Sequence, residues 1–121
     1  QLAGKLTSNA IRVPVPNGSL AILNIEVNNN TSKEALNTII KKYALEGDLV
    51  EQIKFSLSNE LVSSDIVGNS APAIYDSTAT IVSEDGRNLV LYVWYDNEFG
   101  YAHQVIRLAK YVAKVRRYTY Y

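Results

Sequence analysis

Two stretches of the sequence carry side chains whose types and spacing could place them in a binding site. The first holds Arg12, which stands between apolar residues directly before the proline-rich stretch Val13-Pro14-Val15-Pro16. A guanidinium in such a place needs a partner, because its planar set of donors pairs best with a carboxylate or a phosphate. Taken alone, Arg12 is predicted to form a structural salt bridge, with a ligand contact as the alternative.

The second stretch is Trp94-Tyr95-Asp96-Asn97-Glu98-Phe99-Gly100-Tyr101, a cluster of polar and aromatic residues between an apolar segment and a helical pattern. Junctions of this kind often carry binding residues, since loops on a rigid scaffold are free to face a ligand. The simpler interpretation is that Asp96 or Asn97 caps the following helix. Both interpretations stay open on the residues alone.

Other chemistries are excluded by residues that the chain lacks. It contains no cysteine, which removes disulfides, thiolate zinc sites and a thiol nucleophile, and its single histidine cannot build a multi-histidine metal site. That histidine, His103, falls on a charged helix face and is interpreted as a solvated surface residue. No nucleotide-binding glycine motif and no metalloprotease motif is present.

Composition indicates a globular chain. The 121 residues are 47% hydrophobic and carry twelve basic and twelve acidic side chains, so we expect one domain over residues 1–121 with an extensive core. No apolar run is long enough to cross a membrane, and the first residues show no signal-peptide pattern, which favours a soluble protein. Balanced charge argues against nucleic-acid binding, although the chain after Glu98 is basic and rich in tyrosine.

The chain begins with a proline-stiffened extended segment, a turn at Asn17-Gly18 and then an alternating pattern that predicts a strand. The apolar face of that strand holds Ala21, Leu23, Ile25 and Val27. A helix is predicted over residues 32–46, opened by a capping box of Thr31 and Glu34 and closed by Gly47.

Weaker patterns predict short strands at residues 53–57 and 62–66. Residues 73–82 and 88–95 are typical of the two arms of a hairpin joined by an Asp-Gly turn. The second arm is apolar on both faces, which predicts a central strand covered on each side.

A long amphipathic helix is predicted over residues 97–117. Its apolar face holds Ala102, Val105, Ile106, Ala109, Val112 and Ala113, and its charged face holds His103, Arg107, Lys110, Lys114 and Arg117. This order of elements predicts an α+β fold with a mainly antiparallel sheet and helices packed on it.

Five segments resemble the C-terminal part of phosphorylating glyceraldehyde-3-phosphate dehydrogenases, in order and over nearly the whole chain. They are Lys5-Leu6-Thr7, Ala10-Ile11-Arg12-Val13-Pro14-Val15-Pro16-Asn17, Val62-Ser63-Ser64-Asp65, Trp94-Tyr95-Asp96-Asn97-Glu98-Phe99-Gly100-Tyr101 and Val105-Ile106-Arg107-Leu108. The fourth segment is highly specific to this family and to the related erythrose-4-phosphate dehydrogenases.

The resemblance implies a chain longer than this one. Family members add an NAD-binding Rossmann domain, work as cytoplasmic tetramers in glycolysis and gluconeogenesis, and convert glyceraldehyde 3-phosphate and inorganic phosphate into 1,3-bisphosphoglycerate. Their catalytic cysteine and histidine lie upstream of the matched region. We therefore expect a C-terminal fragment of the catalytic domain that contains no catalytic residue, does not hold NAD alone and is inactive alone.

Residue by residue, the resemblance assigns four positions. Arg12 matches the arginine that binds the substrate phosphate and the attacking phosphate, which reverses the salt-bridge prediction. Asn97 matches the asparagine that binds the nicotinamide carboxamide. Tyr101 matches a tyrosine that lines the active site, and Tyr95 one packed close by, whereas His103 does not match the catalytic histidine.

Several alternatives stay open. The chain could act as a stand-alone interaction module that self-associates through uncovered sheet surface. Within the family, erythrose 4-phosphate as substrate and NADP as cofactor are not excluded. The final segment, residues 116–121, extends past the point where many family members stop, and the resemblance assigns it no role.

Overall fold

The computed structural model describes residues 2–115, which form a five-stranded sheet and three helices. The strands are β1 (Ser19–Glu26), β2 (Ile53–Ser56), β3 (Ala73–Asp76), β4 (Ile81–Val82) and β5 (Asn88–Tyr95). The helices are α1 (Lys33–Leu45), α2 (Ser63–Ile66) and α3 (Phe99–Val112). The predicted α+β class is confirmed.

The sheet is built around β5. Strand β1 pairs antiparallel with the whole of β5, with Ser19 opposite Tyr95 and Glu26 opposite Asn88. Strands β3 and β4 pair antiparallel along the other side of β5, and β2 adds to β3 in parallel. The sheet is therefore mainly antiparallel, as predicted, and β5 has the predicted bounds and a central place.

The predicted first arm of the hairpin, residues 73–82, is wrong as one strand. The carboxylate of Asp76 accepts hydrogen bonds from the Thr78 hydroxyl at 2.9 Å and from the Ala79 amide at 3.1 Å. These bonds close a turn that takes residues 77–80 out of the sheet, so the arm is divided into β3 and β4. An aspartate that satisfies its own following amides competes with the strand ladder for them.

The Asp-Gly turn of the hairpin forms as predicted and also fixes the chain before α1. Gly86 has a φ of +70°, and its carbonyl accepts the Thr31 amide at 2.8 Å. A Cβ atom at this position would stand only 2.5 Å from the Thr31 carbonyl oxygen. Glycine is required here by both the backbone conformation and the close approach of another chain segment.

Residues 62–66 form no strand, which corrects the sequence prediction. Residues 63–66 make the single turn of α2, and the Asp65 carboxylate accepts the Val62 amide at 3.0 Å. Ile66 is the apolar residue that this turn buries, at 1% exposure. Serine and aspartate satisfy amides at a helix start, and this preference outweighed the apolar alternation.

Helix α1 agrees with its predicted span, but its cap is one residue later than predicted. The hydroxyl of Ser32, not that of Thr31, accepts the amide of Ala35 at 3.1 Å. The predicted reciprocal bond from Glu34 is accordingly replaced by a simple serine cap. Gly47 follows the C-cap with a φ of +84°, so the helix ends where predicted.

Helix α3 is shorter than the predicted 97–117. It ends at Val112, and Lys114 takes a left-handed φ of +56° while the Val115 amide bonds back to Lys110 at 3.0 Å. This reversal is the usual way a helix satisfies its last carbonyls. The last predicted positions, 116 and 117, lie outside the described residues.

The predicted extensive core is wrong for the described part of the chain. Its fully buried apolar residues are Ala44, Ile66, Ile74, Tyr75 and Leu89. Strand β5 is central but not covered on both faces, since most of its side chains are only half-buried. The accessible surface is 9786 Å², whereas a compact protein of 13.5 kDa exposes about 6,500 Å².

Exposed large apolar side chains occur before β1, in β1 itself, in α1 and in α3. Ile22 in β1 is 52% exposed, and Ile106 on the apolar face of α3 is 56% exposed. The side of α3 that contacts the rest of the chain is polar, with Arg107 Nε 3.1 Å from the Glu51 carboxylate. Within residues 2–115, no helix combines the length and the apolar character needed to span a bilayer.

Candidate functional site

The start of β1 and the end of β5 meet at one corner of the sheet. Most residues singled out from the sequence lie in this corner or in the two chain segments connected to it. We call residues 17–19 and 95–99 together the β1–β5 corner. Residues 2–18 lead into the corner as an arm without helix or strand, and α3 leaves it. Arg12 lies on the arm, Tyr95 and Asn97 in the corner, and Tyr101 in the first turn of α3.

Asp96 ties these segments together. The carboxylate is 2% exposed, and its Oδ1 accepts the amides of Glu98 at 2.9 Å and Phe99 at 2.8 Å. Its Oδ2 accepts the side-chain amide of Asn17 and the backbone amide of Gly68, each at 2.9 Å. One side chain thus joins the end of the arm, the loop after α2 and the start of α3.

The charge of Asp96 is stabilised by the same bonds. Hydrogen bonds from the Phe99 and Gly68 amides, helped by Asn17 and Glu98, lower the pKa of this carboxyl to about 2. The carboxylate also sits at the positive end of the α3 dipole. An aspartate held ionised in this way serves as a fixed acceptor rather than as a proton donor. The N-cap of α3 is Glu98, which makes no side-chain cap bond, so the predicted cap at Asp96 or Asn97 is replaced by the bonds from the Glu98 and Phe99 amides to Asp96.

Asn97 is exposed beside this anchor, and one side of its amide is engaged. The hydroxyl of Ser19, the first residue of β1, donates a hydrogen bond to Asn97 Oδ1. Both N–H groups on Nδ2 stay without a partner among residues 2–115. The corner therefore presents a pair of oriented donors to solvent.

The arm turns into β1 at Asn17-Gly18, where the predicted turn is found. Gly18 has a φ of +97°, and a Cβ there would lie 3.4 Å from the carbonyl oxygen of Ser63 in α2. The side-chain oxygen Oδ1 of Asn17 accepts a hydrogen bond from the Gly18 backbone amide at 2.7 Å. The turn is thereby fixed between Asp96 and α2.

Arg12 lies on the exposed arm between exposed apolar neighbours. Within residues 2–115, Arg12 has neither an ion pair nor a hydrogen bond; the ion pairs there join Arg87 to Glu26 and Arg107 to Glu51. The salt bridge considered from the sequence is thus not formed in the described part of the chain. Its five donors remain available to an anion.

The tyrosines and the histidine stand apart from this hydrogen-bond network. Tyr95 is half-buried opposite Ser19, and Tyr101 is 73% exposed on α3. His103 is exposed one turn further along, where its Nδ1–H donates to the Phe99 carbonyl at 2.9 Å. Tyr95 and Asn97 both neighbour Ser19, whereas Arg12 and Tyr101 make no hydrogen bond to the corner.

The sequence did not reveal Ser19 and Gly68 as parts of this corner. Each pairs with a residue far away along the chain, 78 positions for Ser19 and 28 for Gly68. The turn signal Asn17-Gly18 placed Ser19 at a strand start but gave no indication of its partner. Within residues 2–115, no three histidine, aspartate or glutamate side chains are grouped as a metal site.

The sequence of this chain is similar to that of known proteins. The family model described as the C-terminal domain of glyceraldehyde 3-phosphate dehydrogenase matches residues 1–97. The chain therefore belongs to the family of glyceraldehyde-3-phosphate dehydrogenase C-terminal domains. The matched region includes the arm, the sheet and both Arg12 and Asn97, and it ends before α3.

Individual relatives support the same assignment. The chain is 48% identical over 114 residues to a glyceraldehyde-3-phosphate dehydrogenase-like protein of Pseudomonas aeruginosa, covering 94% of this chain and 24% of the relative. It is 42% identical to glyceraldehyde-3-phosphate dehydrogenase of Streptomyces coelicolor, over 93% of this chain and 33% of the relative. Glyceraldehyde-3-phosphate dehydrogenase 1 of Bacillus subtilis is also 42% identical, with 94% and 33% covered. The chain thus spans a third or less of these relatives.

Proposed function

We propose that this chain acts within a longer polypeptide as the C-terminal part of the catalytic domain of an NAD-dependent, phosphorylating glyceraldehyde-3-phosphate dehydrogenase. It supplies contacts to phosphate and to nicotinamide, and other parts of the enzyme complete the site. The observation that carries this proposal is the exposed Asn97 amide, whose oxygen accepts from Ser19 and whose two donors have no partner within residues 2–115. The family to which the chain belongs suggests the reaction in which the Asn97 donors take part.

Asn97 suits the nicotinamide carboxamide because that group offers a carbonyl oxygen as an acceptor. With Oδ1 bound to Ser19, the Nδ2–H donors have no partner within residues 2–115 and can hold that oxygen. NAD, when bound, supplies the acceptor for the hydride. The part of Asn97 is to orient the ring, so that one face is presented to the aldehyde.

Arg12 suits a phosphate because its guanidinium is unpaired and exposed. A planar fork of donors fits two oxygens of a phosphate and costs little rearrangement when no ion pair must first be broken. We assign Arg12 to the phosphate groups of the substrate and of inorganic phosphate. Tyr101 and Tyr95 are assigned to the lining of the same site.

The isolated chain is predicted to be inactive. It has no cysteine to form a thioester, and residues 2–115 contain no parallel, doubly wound sheet of the kind that holds a dinucleotide. The whole enzyme is proposed to be a cytoplasmic oligomer that works in glycolysis or gluconeogenesis. Erythrose 4-phosphate is the alternative substrate, and NADP the alternative cofactor.

The role of Arg12 can be tested in a chimera in which this chain replaces the matching third of the Bacillus subtilis relative. Arg12→Leu should lower kcat/KM for inorganic phosphate and for glyceraldehyde 3-phosphate by about 10- to 100-fold, the worth of a charge-assisted hydrogen bond. Arg12→Lys should recover only part of this loss. Arg87→Leu, an exposed arginine at the other end of β5, is the matched control. Unchanged phosphate kinetics for Arg12→Leu would refute the assignment.

Asn97 is tested in the same chimera. Asn97→Ala should raise KM for NAD and lower kcat, while the KM for inorganic phosphate stays within twofold of the parent. Asn88→Ala, which changes an exposed asparagine at the opposite end of β5, should leave both unchanged. Unaltered NAD kinetics in Asn97→Ala would remove Asn97 from the cofactor site.

A second function is favoured by the uncovered apolar surface of β1 and α3. A chain that leaves Ile22 and Ile106 more than half exposed can serve as a subunit-association module. Light scattering on the isolated chain tests this alternative. If the isolated chain forms a homo-oligomer and the chimera has no dehydrogenase activity, the association module is favoured over the enzyme.

A further inference from the structure

We propose that Ser19 is a positioning residue for the cofactor contact, because its hydroxyl holds the exposed side-chain amide of Asn97 in place at the β1–β5 corner. This inference rests on the proposed role of Asn97. The observation behind it is the hydrogen bond from Ser19 Oγ to Asn97 Oδ1, which joins the first residue of β1 to the residue two positions after β5. No family property assigned above involves Ser19.

An exposed asparagine side chain without a partner rotates among several rotamers. The Ser19 hydroxyl can donate to Oδ1 or accept from Nδ2, so it holds the Asn97 amide at the corner in either orientation of that amide. Without this partner, Asn97 would divide its population among rotamers, and only those that keep the amide at the corner could meet the cofactor.

Ser19 is well placed to hold Asn97 because its own backbone is held on both sides. It pairs with Tyr95 in the β1–β5 ladder, and the preceding Asn17-Gly18 turn is fixed by the bond from Asn17 to Asp96. Asp96 in turn holds the first amides of α3, next to Asn97. Two side-chain bonds, Asn17 to Asp96 and Ser19 to Asn97, therefore cross the corner side by side.

Nuclear magnetic resonance on this chain tests the contact without any enzyme activity. The Asn97 side-chain NH2 signals should show a rigid group in the parent chain. In Ser19→Ala the nitrogen shift should move towards that of exposed asparagines, and the {1H}-15N nuclear Overhauser effect of the group should fall. Ser19→Thr keeps the hydroxyl and should restore both. Ser64→Ala removes an exposed hydroxyl from α2 and should change neither.

Kinetics in the chimera test the consequence. Ser19→Ala should lower kcat/KM for NAD about fivefold, the effect of one lost hydrogen bond, with the KM for inorganic phosphate unchanged. Ser19→Thr should stay within twofold of the parent. In an Asn97→Ala background, Ser19→Ala should have no additional effect, because the two residues act through one contact.

The outcomes separate this inference from the proposed function. Unchanged Asn97 side-chain signals in Ser19→Ala, or an equal kinetic loss with and without Asn97, would overturn the positioning role of Ser19. If Asn97→Ala leaves NAD kinetics intact, the proposed cofactor contact fails and the positioning role fails with it. If only Ser19→Ala is silent, Asn97 keeps its role and Ser19 loses its own.

Discussion

At the scale of single residues, Asp96 determines the geometry of the candidate site. Its carboxylate receives four hydrogen bonds from the arm, the loop after α2 and the start of α3. Losing its charge therefore loosens three segments at once. The candidate ligand residues Arg12 and Asn97 lie on two of the segments that it joins.

The lowered pKa of Asp96 predicts acid sensitivity. Because the folded pKa is about 2 and an unfolded aspartate titrates near 4, the stabilisation from this group is complete above about pH 4. It is lost as the pH falls from about 4 towards 2. Urea midpoints of the isolated chain, measured between pH 7 and pH 2, should fall over that interval.

The variant Asp96→Asn separates this group from the other acids. It should lower the urea midpoint at pH 7 and make the midpoint less dependent on pH between 4 and 2. Asp48→Asn, an exposed acid outside the corner, should retain the parent profile. If the urea midpoint of Asp96→Asn depends on pH in the same way as that of the parent chain, protonation of Asp96 does not cause the loss of stability in acid.

Tyr75 is a second residue whose side-chain hydrogen bonds should contribute measurably to stability. It donates to Asn37 Oδ1 at 2.7 Å and accepts from the buried Thr80 hydroxyl at 2.6 Å. Burial raises the pKa of the Tyr75 phenol, so it stays protonated as a donor. Tyr75→Phe leaves Asn37 Oδ1 without its donor, whereas the Thr80 hydroxyl keeps the Asp76 carbonyl as an acceptor at 3.0 Å. This change should cost about 1–3 kcal/mol of unfolding free energy.

Tyr92→Phe is the matched control for Tyr75. Tyr92 is a half-buried tyrosine in β5, and its hydroxyl makes no hydrogen bond within the described residues. Its variant should stay within about 0.5 kcal/mol of the parent. Equal losses in the two variants, measured by urea unfolding, would mean that the Tyr75 network does not stabilise the fold.

At the scale of elements, the start of α1 gives a direct comparison of two adjacent hydroxyls. Ser32 caps the helix and Thr31 does not. Ser32→Ala should destabilise the chain by about 1 kcal/mol, whereas Thr31→Ala should stay within about 0.5 kcal/mol. If thermal or urea unfolding shows that Thr31→Ala is more destabilising than Ser32→Ala, Thr31 and not Ser32 is the cap.

The elements that the sequence predicted well are those specified locally. Strand β5 has the predicted bounds because an Asp-Gly turn precedes it and an apolar run fills it. Strand β3 could not be bounded, because the bonds of Asp76 to its own following residues decide where it ends. Helix α2 was missed because the aspartate bond at its start outweighs a short apolar pattern.

The same distinction applies to the candidate site. The resemblance identified Arg12, Tyr95, Asn97 and Tyr101, since it depends on local motifs. It could not identify Ser19 as the partner of Asn97, because the contact spans 78 positions and exists only once β1 pairs with β5. Side-chain pairs across a sheet follow from register, which the sequence alone did not provide.

At the scale of the whole molecule, the apolar surface of β1 should control association. Ile22 and Asn24 lie on the same face of this strand. We predict that the isolated chain sediments at more than its monomer mass of 13.5 kDa and that Ile22→Lys shifts it towards monomer. Asn24→Lys adds the same charge without removing apolar surface and should shift it much less.

Sedimentation of these two variants distinguishes apolar association from charge effects. A parent chain that is monomeric at every concentration would show that β1 does not drive association. If Ile22→Lys and Asn24→Lys shift the chain towards monomer to the same extent, the effect is due to the added charge alone.

The central claim is that this chain contributes binding residues to a dehydrogenase site that it cannot complete by itself. The direct measurement compares NAD reduction, with glyceraldehyde 3-phosphate and inorganic phosphate, for the isolated chain and for the Bacillus subtilis chimera. We predict no activity above background for the isolated chain and phosphate-dependent activity for the chimera. Activity in the isolated chain, or a folded chimera with the parent's oligomeric state and no activity, would contradict the claim.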